Sequence, residues 1–325
     1  MIEVLAIPPL ATVQDLGRDG YWSQGLWRAG AMDCLAHSVA NLLIGNAPDA
    51  ATLEVQLTPA RFRFCADMAF ALAGASCDAR LDGRALPRVW AGQARAGQVL
   101  ELGAMTQGAR IYLAIPGGID VPQVLGSRST QLREAFGGHM GRALAAGDKL
   151  VPTGAMDHAL PDGGLSCFLP ALRSRPDAPI TLRALASAEY ESFDENSRRA
   201  FWTTPYTVTP QSNRQGYRLE GEQLDRTPAP ELRSHGIGPG IVQVPGAGQP
   251  IIQLADSATM GGYPKIAAVI EPDLWRIAQA RPGDKLRFVK VSLDDAARAA
   301  SDHERWLEDL TAQILMITTQ LKSWS

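Results

Sequence analysis

The sequence predicts a mainly β protein built as two similar halves, and three observations carry that reading. From Leu53 onward, short strand-like runs alternate with Gly- and Pro-containing turns, at the spacing of a predominantly antiparallel barrel or sandwich and not of βαβ units. The tetrapeptide Gly147-Asp148-Lys149-Leu150 closes the first half, and Gly283-Asp284-Lys285-Leu286 closes the second. Between the halves, Pro161-Asp162-Gly163-Gly164 and the prolines from Pro170 to Pro179 mark a connection. At 325 residues the chain is long enough for two cores.

Taken in order, Ile2-Glu3-Val4-Leu5 opens the chain as a strand. Thr12-Val13-Gln14-Asp15-Leu16-Gly17-Arg18 then runs into Asp19-Gly20-Tyr21, a turn-rich loop offering an amide, a carboxylate and a guanidinium. A guanidinium can grip a carboxylate or phosphate with two parallel hydrogen bonds, so Arg18 is an anion-binding candidate; the alternative is an internal Asp15–Arg18 pair that closes the turn. Asp33 is suited to cap a helix and Gly45 to end it. Leu35, Val39, Leu42 and Leu43 share one face of that helix and should be core, with His37 a helix or surface residue and not a catalyst. Strands are expected at Leu53–Leu57, Arg61–Phe64, Ala69–Ala73, Val99–Leu102 and Ile111–Ile115, separated by Asp82-Gly83, Ala96-Gly97 and Pro116-Gly117-Gly118. The segment Leu125–Thr130 and the following Phe136–Arg142 are glycine-lined and cationic, with Arg128 the anion-binding candidate.

The second half opens with a strand at Ile180–Leu185, followed by a short helix over Glu189–Thr203 and a strand at Tyr206–Val208. Arg214 and Arg218 fall on one side of an extended segment if no bulge intervenes. Past Ser292, Leu307, Leu310, Ile314, Ile317 and Leu321 recur at the a/d spacing of a coiled-coil seam, and no Gly or Pro interrupts 292–325. The reading here is a helix whose stripe is buried, in part against another copy of the chain.

A net charge of −3 with 20% charged and 46% hydrophobic residues describes an ordinary globular protein with no nucleic-acid surface. The four cysteines are scattered, which argues against a disulfide framework or a zinc site. No leader pattern is present and no apolar run approaches the roughly 20 residues of a membrane span, so a cytoplasmic protein is expected. There is no P-loop.

The densest chemistry lies in Gly240–Ala267. Ile241–Val244 and Ile251–Leu254 flank a Gly/Pro-rich hairpin connection, and the second strand enters Ala255-Asp256-Ser257-Ala258-Thr259-Met260-Gly261-Gly262-Tyr263-Pro264-Lys265. A carboxylate, two hydroxyls, a phenol and an ammonium surround a Gly-Gly pair that lets a ligand approach the backbone. Lys265 stands out because the chain has only five lysines among its 31 basic residues.

This stretch, with the Thr12–Arg18 motif, Ser212-Asn213-Arg214-Gln215-Gly216-Tyr217-Arg218-Leu219 and Pro282–Phe288, resembles the biotin-dependent carboxyltransferase family, also called the allophanate hydrolase subunit 2 family. The resemblance runs to about Ser292. It implies two cyclophilin-like β-barrel domains, at 1–155 and 180–292, joined by a linker at 156–179 and followed by a C-terminal helix at 293–325. It also implies a component of an ATP-dependent 5-oxoprolinase, which opens 5-oxo-L-proline to glutamate with A-like and B-like 5-oxoprolinase proteins as partners. Carboxyl transfer in a urea carboxylase or allophanate-type system is the second reading. A non-enzymatic antagonist of a kinase inhibitor is the third. ATP, with Mg, would be shared with one of the partners, and no biotin-attachment motif lies on this chain. The expected catalytic residues are Asp15, Asp256 and Lys265. The expected binding set is Gln14, Arg18, Arg128, Arg214, Arg218, Gln243, Thr259, Gly262 and Tyr263, with no metal ligand. Two departures from the family pattern are Ala186-Ser187 for Gly-Pro after the Ile180–Leu185 strand and His235 for a glutamate, the latter near the expected site.

Overall fold

The computed structural model describes residues 1–57, 59–155, 160–227 and 232–324, with side chains through Gln320. The chain forms two compact units, one of Met1–Arg18, Ala29–Pro170 and Arg305–Ser325, the other of Asp19–Arg28 and Ala171–Glu304. The expected linker brackets the division at 170/171; its residues 156–159 lie outside the described residues.

In the first unit a nine-stranded sheet runs in the order Thr12–Gln14, Thr52–Gln56, Val99–Ala114, Ala60–Phe64, Ile2–Ala6, Lys149–Leu150, with Met68–Leu81 also paired to Val99–Ala114. Two separately expected strands, Val99–Leu102 and Ile111–Ile115, are one 16-residue strand. Its polar middle masks the continuity, because there the ladder to Met68–Leu81 shifts register between Gly74 and Ala79. Inward positions of these strands bury Phe62, Phe64, Phe70, Trp90 and Leu113 as one core, with Phe64 and Phe70 centroids 4.9 Å apart.

The helix of this unit spans Cys34–Leu43, and Asp33 caps it by accepting from Ala36 N at 2.8 Å. Gly45 takes φ +73° just beyond its end, the left-handed turn for which glycine is favoured. Leu35, Val39, Leu42 and Leu43 are buried as expected. His37 is in the helix but fully buried, which rules out the surface half of that expectation.

The second unit is a closed barrel of seven strands: Ile180–Ala186, Lys265–Val269, Ile241–Gln243, Ile251–Gln253, Gly216–Glu220, Tyr206–Val208 and Lys285–Lys290. Parallel pairing of Ile180–Ala186 with Lys285–Lys290 completes the ring. The segment expected as one helix divides into a 3-10 turn at Tyr190–Ser192 and an α-helix at Glu195–Thr203, which Asp194 caps through Ser197 N. From that helix Phe201 stacks on Phe288 at 4.4 Å, both fully buried.

The Gly-Asp-Lys-Leu echo is a structural repeat. Gly147 and Gly283 have φ of +92° and +90° and donate to Val4 O and Val208 O, each at 2.8 Å. The backbone carbonyls of Asp148 and Asp284 accept from those same valines' N–H groups at 2.9 Å. Each aspartate side chain closes its turn on a backbone N–H three residues back, at Ala145 and Arg281. The first glycine is required because the turn needs positive φ, and the aspartate because the turn needs an acceptor.

The C-terminal helix spans Leu293–Trp324. Leu310 and Ile314 are buried within the chain itself, Leu307 and Ile317 are half-buried, and the side chain of Leu321 lies outside the described residues. Among the described residues no helix is long and apolar enough to cross a membrane. All four cysteines are free thiols, and burial pushes those of Cys77 and Cys167 up to about 11.

Candidate functional site

Two polar clusters are described, one in each unit. In the first, strand Thr12–Gln14 pairs antiparallel with Thr52–Gln56 and delivers Asp15 to the segment 127–130. Asp15 Oδ1 accepts from Gly17 N at 2.8 Å, from Ser127 Oγ at 2.7 Å and from Ser129 Oγ, while Oδ2 accepts from Arg128 N. Four donors on one carboxylate make Asp15 a clamp that holds the Gln14–Arg18 loop against Ser127–Thr130. Arg18 Nη2 donates to Ser129 O at 2.8 Å, and its guanidinium lies 4.9 Å over the ring of Phe136. Gly137 and Gly138 are required here: both have positive φ, and added Cβ atoms would run into Ser129 O and Thr130 Oγ1. Gln14 Nε2 donates to Thr12 Oγ1 at 2.9 Å and to Thr130 O at 3.3 Å; its buried Oε1 has no partner among the described residues. Arg128 is half-buried with Nε on Val121 O at 3.2 Å.

A buried polar chain supports this loop from behind. Asn41 Nδ2 approaches His37 Nε2 at 3.4 Å, His37 Nδ1 meets Thr52 Oγ1 at 2.8 Å, and Thr52 Oγ1 donates to Gln14 O at 3.4 Å. An amide N–H can only donate, so Nε2 is the acceptor and Nδ1 carries the proton of a neutral ring. Beside it, Tyr112 donates to Glu54 at 2.6 Å, and burial holds the phenol protonated well above its usual range.

In the second unit Arg214 and Asp256 form a buried two-pronged pair, Nε–Oδ2 2.8 Å and Nη2–Oδ1 3.0 Å, and Asp256 N donates to Arg214 O at 3.0 Å. Arg218 does not join it. Arg214 precedes the strand and is buried, whereas Arg218 is exposed and lines a separate groove with Thr209, Gln211 and Gln249. The expectation of one shared side therefore fails, because the strand's alternation begins only at Gly216.

Gln243 is buried, donating to Tyr263 O at 3.3 Å and accepting from Gln253 Nε2 at 3.0 Å. A Cβ on Gly261 would sit 2.6 Å from Gln243 Nε2, so glycine lets the loop lie on the amide without moving the Gln243 side chain. Thr259 O accepts from Ile237 N at 3.0 Å and from Trp22 Nε1 at 3.4 Å. Gly262 and Tyr263 line a pocket of about 480 Å³ with Ser234, Arg226, Asp225 and Pro264. Tyr263 is half exposed there.

Lys265 is not the surface ammonium that the loop-like sequence implies. It opens a barrel strand, is 5% exposed, and its Nζ lies 3.0 Å from Glu189 Oε2. That ion pair is the contact the described residues give the ammonium, and it ties Lys265 to the segment before the Glu195–Thr203 helix. Glu189 Oε2 also accepts from Lys265 N at 3.1 Å, and Oε1 lies 3.8 Å from His235 Nε2.

The first unit thus gathers Gln14, Asp15, Arg18 and Arg128. The second gathers Arg214 with Asp256, and Gln243 with Gly262, Tyr263 and Lys265. Sequence reasoning missed Ser127, Ser129, Phe136 and Glu189. The alternation Ser127-Arg128-Ser129 gave a signal for the serines, since residues two apart in an extended segment face one way. Glu189 gave none, because its partner lies 76 residues further along.

A β protein whose second unit is a closed barrel carrying a Thr-Met-Gly-Gly-Tyr-Pro-Lys loop defines a class, and the family comparison identifies it. The family pattern of the carboxyltransferase domain, subdomains A and B, matches residues 24–290, and the chain belongs to that family. More particularly, the chain is 43% identical over 310 residues to the C subunit of 5-oxoprolinase from Escherichia coli, covering 95% of this chain and 97% of that protein. It is 41% identical over 315 residues to the C subunit of 5-oxoprolinase from Haemophilus influenzae, with the same coverage of 95% and 97%. The crystal structure of the K. lactis urea amidolyase superposes with a TM-score of 0.85 at 28% identity, over 95% of this chain but 20% of that one.

Proposed function

We propose that this chain is the C component of an ATP-dependent 5-oxoprolinase and opens 5-oxo-L-proline to glutamate together with A-like and B-like partner proteins. The observation that carries this reading is end-to-end correspondence with two bacterial C subunits of 5-oxoprolinase, each covered over 97% of its length. Opening the lactam breaks its C–N bond and joins water's oxygen to the carbonyl carbon, so negative charge builds on the carbonyl oxygen. Lys265, held beside Glu189, is a cation of the kind that stabilises such charge. Gly262 and Tyr263 line the pocket, and the buried Gln243 holds the backbone of Tyr263 in place. Asp15 and Asp256 act in this reading by holding loops in place, because their oxygens are taken by Ser127, Ser129 and Arg128, and by Arg214.

The described residues do not fit a nucleotide–Mg site. Arg214 is paired with Asp256, Arg18 is engaged by Ser129 O and Phe136, and no cluster of three His, Cys, Asp or Glu among the described residues could hold a metal. ATP is therefore assigned to a partner protein, and the chain alone is expected to be inactive. The proposed setting is the cytoplasm. The proposed contact between copies stays on the C-terminal helix; with Leu310 and Ile314 of the expected stripe buried within the chain, it would use the neighbouring Leu315 and Met316, 65% and 57% exposed.

Co-purification with the A-like and B-like proteins, followed by an assay for glutamate dependent on both ATP and 5-oxoproline, tests the reading. Glutamate release by the complex but not by this chain supports it, and a complex that forms without any turnover overturns it. Carboxyl transfer is the second reading, favoured by the likeness to the urea amidolyase structure; it requires biotin carried on another protein.

A further inference from the structure

The carboxylate of Glu189 stands between the Lys265 ammonium and the His235 imidazole, which lie on different strands. Lys265 opens one barrel strand, and His235 lies on the two-stranded ribbon His235–Gly236/Met260–Gly261, directly opposite Gly261. Glu189 holds Lys265 twice through Oε2, at the backbone N–H and at the ammonium, and turns Oε1 toward His235 Nε2 at 3.8 Å. The other imidazole nitrogen, Nδ1, is 2.8 Å from Arg233 O. A carbonyl only accepts, so Nδ1 carries a hydrogen. In the neutral ring Nε2 would then point a lone pair at a carboxylate, which is repulsive, whereas in the imidazolium it points an N–H at it. A proton on Nε2 would make this approach an ion pair with Glu189. Glu189 and, beyond it, Lys265 are the charged groups that the described residues set against this edge of the ring, while the paired strand offers Met260 and Gly261.

We infer that Glu189 is a positioning residue for the Gly261–Lys265 segment, binding the Lys265 ammonium with one oxygen and a protonated His235 with the other, so that the site carries a proton donor beside its cation. Lactam opening returns a proton to the departing nitrogen, and an imidazolium held on this ribbon is a donor suited to that transfer. Its use on a lactam rests on the function proposed above; the coupling of the three side chains does not.

The test needs no substrate. Selective ¹³C labelling of histidine in the full chain, which has five histidines, gives a titration curve for His235 once a His235→Gln variant has assigned its signal. Glu189→Gln keeps the size and the acceptor for Lys265 N, and should lower the His235 midpoint by about one pH unit. Lys265→Met removes a competing cation and should raise that midpoint. Shifts of opposite sign are the expected result, and no packing change common to both variants would produce them. Midpoints that agree within error across wild type and both variants, with intact near-ultraviolet circular dichroism, would overturn the inference. So would shifts in the same direction. An inactive oxoprolinase assay alongside opposite shifts would count against the function and not against the coupling.

Discussion

His37 makes the stability of the first unit depend on pH in a calculable way. The ring is fully buried and burial lowers its pKa from 6.5 to about 4. Protonation would place an N–H on Nε2 facing the Asn41 amide donor and remove that link, while Nδ1 goes on donating to Thr52, and it would bury a charge. Unfolding returns the ring to about 6.5, so between pH 6.5 and 4 the unfolded chain binds a proton that the folded chain refuses. Stability is fully present above pH 6.5 and falls as the pH drops toward 4. The difference of about 2.5 units corresponds to about 3 kcal/mol. His303 is lowered by burial as well and adds in the same sense. The comparison is therefore with His37→Gln, which presents similar polar atoms but does not titrate. Urea denaturation from pH 7.5 to 4.5 should show wild type losing stability more steeply than the variant, with the gap approaching about 3 kcal/mol at the acid end. Asp148 does not interfere, because Arg142 holds its carboxyl below the usual range and its contribution is lost only at lower pH. Parallel curves for the two proteins would refute the reasoning.

Arg214→Met leaves Asp256 buried without its counter-charge and should cost about 3 kcal/mol in urea denaturation; adding Asp256→Leu should recover part of it, and a single-variant loss below about 1 kcal/mol would contradict the pairing. Gly138→Ala should cost about 1–3 kcal/mol more than Gly20→Ala, because both glycines have positive φ but only at Gly138 does the new Cβ meet another group, Thr130 Oγ1. On the C-terminal helix, Leu310→Ala should lose about 2–4 kcal/mol, being buried within its own chain. Leu315→Glu with Met316→Glu should instead leave stability within about 0.5 kcal/mol and lower the mass seen by light scattering. An unchanged mass would remove the helix as a contact between copies.

Local chemistry carried much of this protein. Asp33 and Gly45 bounded the helix because capping is decided by neighbouring backbone groups, and the Gly-Asp-Lys-Leu repeat was legible because one glycine and one aspartate make the whole turn. The Gly261-Gly262 loop and the Thr12–Arg18 loop were visible as dense polar segments, and motifs in order identified the family. Burial and partnership were not legible in this way. Lys265 looked like a loop cation and is a buried ion pair, because Glu189 reaches it from 76 residues away. Arg218 looked like the companion of Arg214 and faces a different groove, because the strand begins between them. The donors that Asp15 accepts from were not legible either, because Ser127, Arg128 and Ser129 arrive from 112 to 114 residues further along the chain. The sequence by itself determined which backbone turns, caps and strands form, since those depend on a few adjacent residues. Only the tertiary structure decided which charges are paired and which are buried, since an ion's state depends on the groups that the fold brings within a few ångströms of it, and these come from distant strands.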